Sequence, residues 1–168
     1  GDGVQRCSTA SVRGDRVREG VCGAICSGDA LEAGLTTEKA DMLFASIPDK
    51  VLPQFHRQAF EQVKERDKAF YDRLAAAGFM LDFGDDETGL FLKYVRRGSG
   101  YYIDVGACEL IADGTIKLKS GPGLGVDHIE PDAVVLNDGS RLPADLIVYA
   151  TGYGSMNGWA ARLISQEV

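Results

Sequence analysis

The residues best placed to do chemistry stand at the end of an apolar run. Leu146-Ile147-Val148-Tyr149-Ala150 is continuously hydrophobic, as a strand buried on both faces of a parallel sheet would be, and it stops at Thr151-Gly152-Tyr153-Gly154. A glycine directly after such a strand lets a cofactor or another backbone approach where a Cβ would clash. In an open α/β sheet, ligands bind outside the carboxyl ends of the strands. Spacing alone leaves an ordinary strand-to-loop turn equally open. Gly121-Pro122-Gly123-Leu124-Gly125 imitates a nucleotide loop, but Val126 holds the third glycine position and the loop joins two short strands. It reads as a flexible loop. Cys22-x-x-x-Cys26 lacks the spacing of zinc knuckles or thiol redox pairs, and His56 and His128 are isolated. The cysteines therefore read as small buried or loop residues, with no metal ligand assigned. No Ser/His/Asp order or carboxylate pair stands out, so no catalytic residue is named. Arg96-Arg97 reads as a surface or interdomain ion-pair element.

The elements that must position these residues follow from pattern. Val4 to Thr9 is expected as a short strand, followed by a charged stretch from Arg13 to Arg18 and a glycine-rich loop from Gly20 to Gly28. Thr36 offers an N-cap to a helix that Pro48 ends. Phe55, Ala59, Val63, Phe70, Leu74 and Ala77 recur at helical spacing, which predicts one long helix over 52–77 with Gly78 as its cap. The aromatic and glycine-rich stretch 89–106 is expected to form irregular packed connections. Strands are expected at 116–119, 126–129 and 133–136, with Asn137-Asp138-Gly139-Ser140 as a hairpin turn. A helix is expected to begin at Trp159.

Composition narrows the class. The 168 residues carry 18 Lys+Arg against 25 Asp+Glu, a formal net charge of -7, which argues against nucleic acid or an anionic membrane as partner. No apolar run approaches the ~20 residues of a membrane span, and no basic-plus-apolar leader opens the chain. Four cysteines are too few for a disulfide scaffold, which makes a reducing cytoplasm the expected compartment. The 21 glycines against five prolines suit a turn-rich α/β protein.

As a combination, several of these stretches resemble the flavin-containing and Baeyer-Villiger monooxygenases, the class B flavoprotein monooxygenases. Ala150-Thr151-Gly152-Tyr153 with its preceding hairpin resembles their ATG-Y segment. Gly98 to Gly106, the strand from Ile116 to Ser120, and Ala77-Gly78-Phe79 are similar to microbial members. Val4-Gln5-Arg6-Cys7-Ser8-Thr9 resembles the second strand of their NADPH domain, with Cys7 where Ser or Thr is usual. The resemblance implies an α/β fold: an incomplete Rossmann-like NADPH-binding domain with a β-meander and a helical insertion, within a two-dinucleotide-domain flavoprotein. It implies residues 1–34 as the start of the NADPH domain, 35–97 as the insertion, 98–153 as the remainder with the ATGY strand, and 154–168 as the return toward a FAD domain.

The resemblance further implies FAD and NADPH as cofactors. The activity would be insertion of one oxygen atom from O2 into a small organic substrate through a C4a-(hydro)peroxyflavin. The cofactor-binding residues would be Gln5, Arg6, Ser8, Thr9, Thr151, Gly152 and Tyr153. Arg6 and Ser8 would face the 2′-phosphate of NADPH, because an Arg at the end of a second Rossmann strand accommodates that group where an acidic residue would bind the ribose of NAD. The glycine turns for both pyrophosphates and the His-containing fingerprint between them are missing. Residue 1 is Gly, and the first strand has no preceding partner. The expectation is accordingly a fragment, inactive alone and lacking its N-terminal FAD-binding region. The rival readings are a pyridine-nucleotide flavin reductase of the same superfold and a truncated, non-enzymatic chain that binds no cofactor.

Overall fold

The computed structural model describes residues 1–17, 27–98, 100–152 and 158–165. Its elements run β1 (Asp2–Gln5), β2 (Ala10–Arg13), α1 (Gly14–Val17), α2 (Gly28–Glu32), α3 (Thr37–Ala45), α4 (Leu52–Arg66) and α5 (Lys68–Ala76). They continue with α6 (Leu90–Arg97), β3 (Tyr101–Asp104), α7 (Ala107–Ala112), β4 (Lys117–Ser120), β5 (Val126–Glu130), β6 (Ala133–Leu136), β7 (Arg141–Pro143) and α8 (Gly158–Leu163). The chain is mixed α/β. β1 pairs in parallel with β4, β2 in parallel with β3, and β5, β6 and β7 form an antiparallel meander. Parallel partners need a long crossover between them. The helices between β1 and β4 and between β2 and β3 meet that requirement.

Several elements form where pattern placed them. The Thr36 hydroxyl accepts from the Lys39 N–H and caps α3. Gly78 ends α5 at φ +86, a conformation that favours glycine, and its carbonyl accepts from the Ser120 hydroxyl, which ties the helix end to β4. The hairpin turn at 137–140 closes β6 onto β7, with the Ser140 N–H donating to Asp138 at 2.8 Å.

Five expectations are corrected. The segment 4–9 is not one strand: β1 ends at Gln5, and β2 begins at Ala10 with a new partner. The 52–77 helix breaks at Asp67, which leaves helical geometry at φ -101, ψ 22. Asp67 is buried there, its carboxylate held by the Arg16 guanidinium at 3.1 Å, so a tertiary ion pair interrupts a pattern that is locally helical throughout. The stretch 89–106 is regular rather than irregular, since it forms α6 and then β3. Residues 146–150 form no strand. Leu146, Val148 and Tyr149 are 82%, 80% and 67% exposed, because no described strand lies alongside to complete a ladder. Finally, the loop at 121–125 is tied down rather than loose. The Asn137 side chain donates to the Gly123 carbonyl at 2.7 Å and accepts from the Gly125 N–H at 3.2 Å. The expected helix from Trp159 begins at Gly158, one residue early.

The core sits between the parallel strands and the long helices. Phe70, Tyr71 and Leu74 of α5 pack against Cys108 of α7, while Val12 of β2 packs with Phe60 and Val63 of α4. Phe83 joins both clusters, with ring centroids 5.1 Å from Phe60 and 5.2 Å from Tyr71. Cys108 is fully buried and 3.2 Å from the Ser11 hydroxyl, and burial pushes its thiol up to about 11. It is a packing residue rather than a nucleophile.

Candidate functional site

The site begins where β1 stops. Parallel pairing sets Gln5 opposite Ser120, so Arg6 leaves β1 beside the point at which β4 turns into Gly121. Both segments emerge at the carboxyl ends of their strands, the edge at which open α/β sheets receive ligands. Arg6 is exposed, and among the described residues it makes no ion pair or hydrogen bond. A guanidinium left free at that edge can take a phosphate bidentately.

The neighbours of Arg6 are committed within the chain. The Gln5 amide donates to the Met80 carbonyl at 3.1 Å and accepts from the Met80 N–H at 2.8 Å. In doing so it behaves like one more residue of a strand ladder. Thr9 continues that alignment: its N–H donates to Met80, and its carbonyl accepts from Asp82. The Thr9 hydroxyl donates to the Cys7 carbonyl at 3.3 Å. Ser8 donates its proton to Asp82 at 2.9 Å, which leaves its oxygen only as an acceptor. Of this group, Arg6 alone is free to meet an anion. Replacing Gln5 with alanine strands the Met80 amide in a half-buried place. The expected cost is about 1–3 kcal/mol in urea unfolding, with the Arg6 guanidinium left in place; an unchanged midpoint would show that the clamp contributes nothing.

Asp82 is the residue that pattern did not single out. It holds Ser8, and its own charge is answered by Lys93, whose side chain is 5% exposed and whose ammonium lies 2.6 Å from Asp82 Oδ2. The Lys93 bond, helped by the Gly84 N–H and Ser8, holds the Asp82 carboxyl down to about 2. Asp86 is likewise held at about 2, chiefly by Arg96 at 2.7 Å. These pairs line a recess of about 180 Å³ between the 82–88 turn and α6. The Arg96 half of the expected ion-pair element is thereby placed. The pairing of Asp82 with Lys93 and of Asp86 with Arg96 depends on α6, which was not expected.

Thr151 and Gly152 are exposed, Gly152 at φ +76. Among the described residues, no hydrogen bond or ion pair joins them to the Arg6 segment. Tyr153 lies outside the described residues, as do Cys22 and Cys26. His56 is half-buried and stacked on Phe91 at 4.7 Å, with burial lowering its pKa. His128 is exposed beside Asp127, whose carboxylate raises its pKa. Neither belongs to a metal-ligating cluster among the described residues, and no described helix is long and apolar enough to cross a membrane.

The residues present fit one part of NADPH, the 2′-phosphate, through Arg6. The chain's sequence offers no Gly-x-Gly-x-x-Gly turn for a flavin pyrophosphate. No family model matches this chain, and no curated protein matches it.

Proposed function

We propose that this chain is the NADPH-domain portion of a cytoplasmic FAD- and NADPH-dependent monooxygenase acting on a small organic substrate and O2. The reading rests on the combined resemblance of the 4–9, 98–106 and 150–153 stretches. The observation that carries it furthest is the unpaired Arg6 guanidinium at the carboxyl edge of the β1/β4 pair. In this reading the two parallel pairs belong to one Rossmann-like sheet.

NADPH, when bound, supplies the hydride that reduces the flavin on which O2 is activated. The work of this chain is positional. Arg6 holds the 2′-phosphate and so selects NADPH over NADH, since a fork of N–H donors recognises a phosphate and gains nothing from a ribose hydroxyl. Asp82 is kept from repelling that phosphate because Lys93 balances its charge. Thr151 and Gly152 line the crevice between the two dinucleotide domains.

In the complete flavin-loaded enzyme that this reading supposes, Arg6→Ala is expected to raise KM for NADPH at least tenfold while leaving KM for NADH unchanged, about 1.4 kcal/mol or more of phosphate recognition. Equal changes for both nucleotides would reject the phosphate role. NADPH oxidation without oxygen transfer to any amine, sulfide or ketone would favour a flavin reductase instead.

A further inference from the structure

Two helices of the core end on one cavity. It has a volume of about 480 Å³ and is walled by the last turns of α5 and α7 and by the start of β4. Small-molecule sites span roughly 300–1,000 Å³. The room comes from Ala76, Ala77, Ala112 and Gly114, where the helix ends carry little or no side chain. Ile111, Ile116 and Leu118 supply an aliphatic wall. Ile116 and Leu118 stand on the Gly3 face of the β1/β4 pair, since a Cβ at Gly3 would lie 3.6 Å and 3.4 Å from their side chains.

The polar groups of this cavity are mostly acceptors. An α-helix leaves its last four carbonyls without partners inside the helix. In α5, Arg73, Leu74 and Ala75 accept from Ala77, Phe79 and Gly78 in the turn that follows. In α7, Glu109, Leu110 and Ile111 accept from Asp113, Ile116 and Gly114. One carbonyl is left over in each helix, that of its last residue, Ala76 and Ala112. Among the described residues neither accepts a hydrogen bond, and both residues line the cavity. Asp113 adds a carboxylate beside them. The Thr115 N–H donates to it at 2.8 Å and holds its pKa below the usual carboxylate range, so it is charged at neutral pH with lone pairs to spare.

The two cations that border the cavity do not cancel these acceptors. The Arg73 guanidinium is engaged by Glu109 through two nitrogens, at 2.6 and 3.3 Å, and contributes least to the lowering at Asp113. Strand alternation turns the Lys117 side chain to the opposite face of β4 from Leu118. Helix C-terminal ends favour positive charge. A compact cation with several N–H donors and an aliphatic body matches this lining.

We infer that this cavity binds a small primary alkylammonium ion, which donates to the Ala76 and Ala112 carbonyls and the Asp113 carboxylate and lays its chain on Ile111, Ile116 and Leu118. The site lies at the start of β4, whereas Arg6 lies at the carboxyl edge. It does not depend on the NADPH reading.

The test titrates the full chain with hexylammonium, hexyltrimethylammonium, 1-hexanol and hexanoate, following each Kd and the amide 15N–1H shifts of Gly114 and Thr115. Hexylammonium should bind most tightly, hexanoate most weakly, and both amide signals should move. Hexyltrimethylammonium keeps the charge but has no N–H, and should bind about fivefold more weakly than hexylammonium, the worth of one hydrogen bond. Asp113→Asn retains an acceptor for the Thr115 N–H and removes the charge. It should lower the preference for hexylammonium over hexanol about two- to fivefold, the range of one exposed ion pair. Ala76→Phe fills the cavity from an exposed helix position; it should abolish binding of all four probes with the urea midpoint unchanged. Lys117→Ala should leave every Kd as it was. Hexanoate binding as tightly as hexylammonium would overturn the proposal, and so would equal affinities for the two ammonium ions. Hexylammonium binding that neither Ala76→Phe nor Asp113→Asn alters would also overturn it, since the ion would then sit elsewhere.

Discussion

A Gly89→Ala chain is expected to lose about 3–5 kcal/mol of stability, enough to unfold a domain of ordinary marginal stability. Two effects coincide at this position. The backbone sits at φ +78, ψ -162, a region that side-chain-bearing residues scarcely enter. A Cβ placed there would also lie 2.3 Å from Cδ2 and 2.4 Å from Cγ of Phe60, a severe clash with the aromatic ring. Phe60 cannot step aside cheaply, because it is buried against Phe83, and the Phe83 carbonyl accepts the Gly89 N–H at 2.8 Å. The bare position thus lets the 83–89 turn close over the ring before α6 begins. Urea unfolding checks this against Gly114→Ala. That site has φ +81 but open space around it, so backbone strain alone should cost about 1–2 kcal/mol there. If both variants lose the same amount, the Phe60 contact is not what makes Gly89 indispensable.

Removing Asp82 should be the most damaging single change to the polar structure beneath the Arg6 segment. Asp82→Ala leaves the Lys93 ammonium buried without its counter-charge, and breaking such a pair from one side costs about 3–5 kcal/mol. It also frees Ser8 and the Gly84 N–H. Lys93→Met should be much milder. Asp82 is 27% exposed, can be solvated, and keeps its bonds to Gly84 and Ser8. Acid provides a second measurement. Asp82 and Asp86 are both held near 2 in the folded chain, chiefly by Lys93 and Arg96, below the ordinary value of about 3.9 in an unfolded one. A depressed carboxyl contributes stability in full above its unfolded pKa and loses it as pH falls through the folded value. Stability should therefore decline from about pH 4 toward pH 2, and Lys93→Met should flatten that decline. An Asp82→Ala variant as stable as Lys93→Met, with the same acid profile as wild type, would sink this account of the pair.

Much of the local structure was legible from particular residues. Thr36 before a helical run, Gly78 after one, and Asn137-Asp138-Gly139-Ser140 between two apolar runs each carry their geometry in a short window, and each forms as expected. The misreadings share one cause. The helix at 90–97 looked irregular because Leu90-Phe91-Leu92-Lys93-Tyr94-Val95 mixes aromatic, β-branched and charged residues, and only packing decides which of them face inward. Lys93 faces inward because Asp82 is there to receive it. The break at Asp67 exists because Arg16, 51 residues away, binds that carboxylate.

The candidate site divides along the same line. Arg6 was singled out from the family that the 4–9 segment resembles, and only the fold decided that β1 stops at Gln5 just before it. Gln5 and Ser8 carry hydrogen-bonding groups that sequence alone offered equally to a ligand. The fold spends them on Met80 and Asp82.

The chain by itself determined its mixed α/β character, its caps and hairpin and its acidic balance. These follow from propensity, periodicity and charge within a few residues. Tertiary structure alone decided that β1 meets β4 and β2 meets β3 across long crossovers, and that Lys93 is buried. Strand partners and buried ion pairs are contacts between distant residues. Whether they form depends on which surfaces the whole chain can bury together, and no local window holds that information.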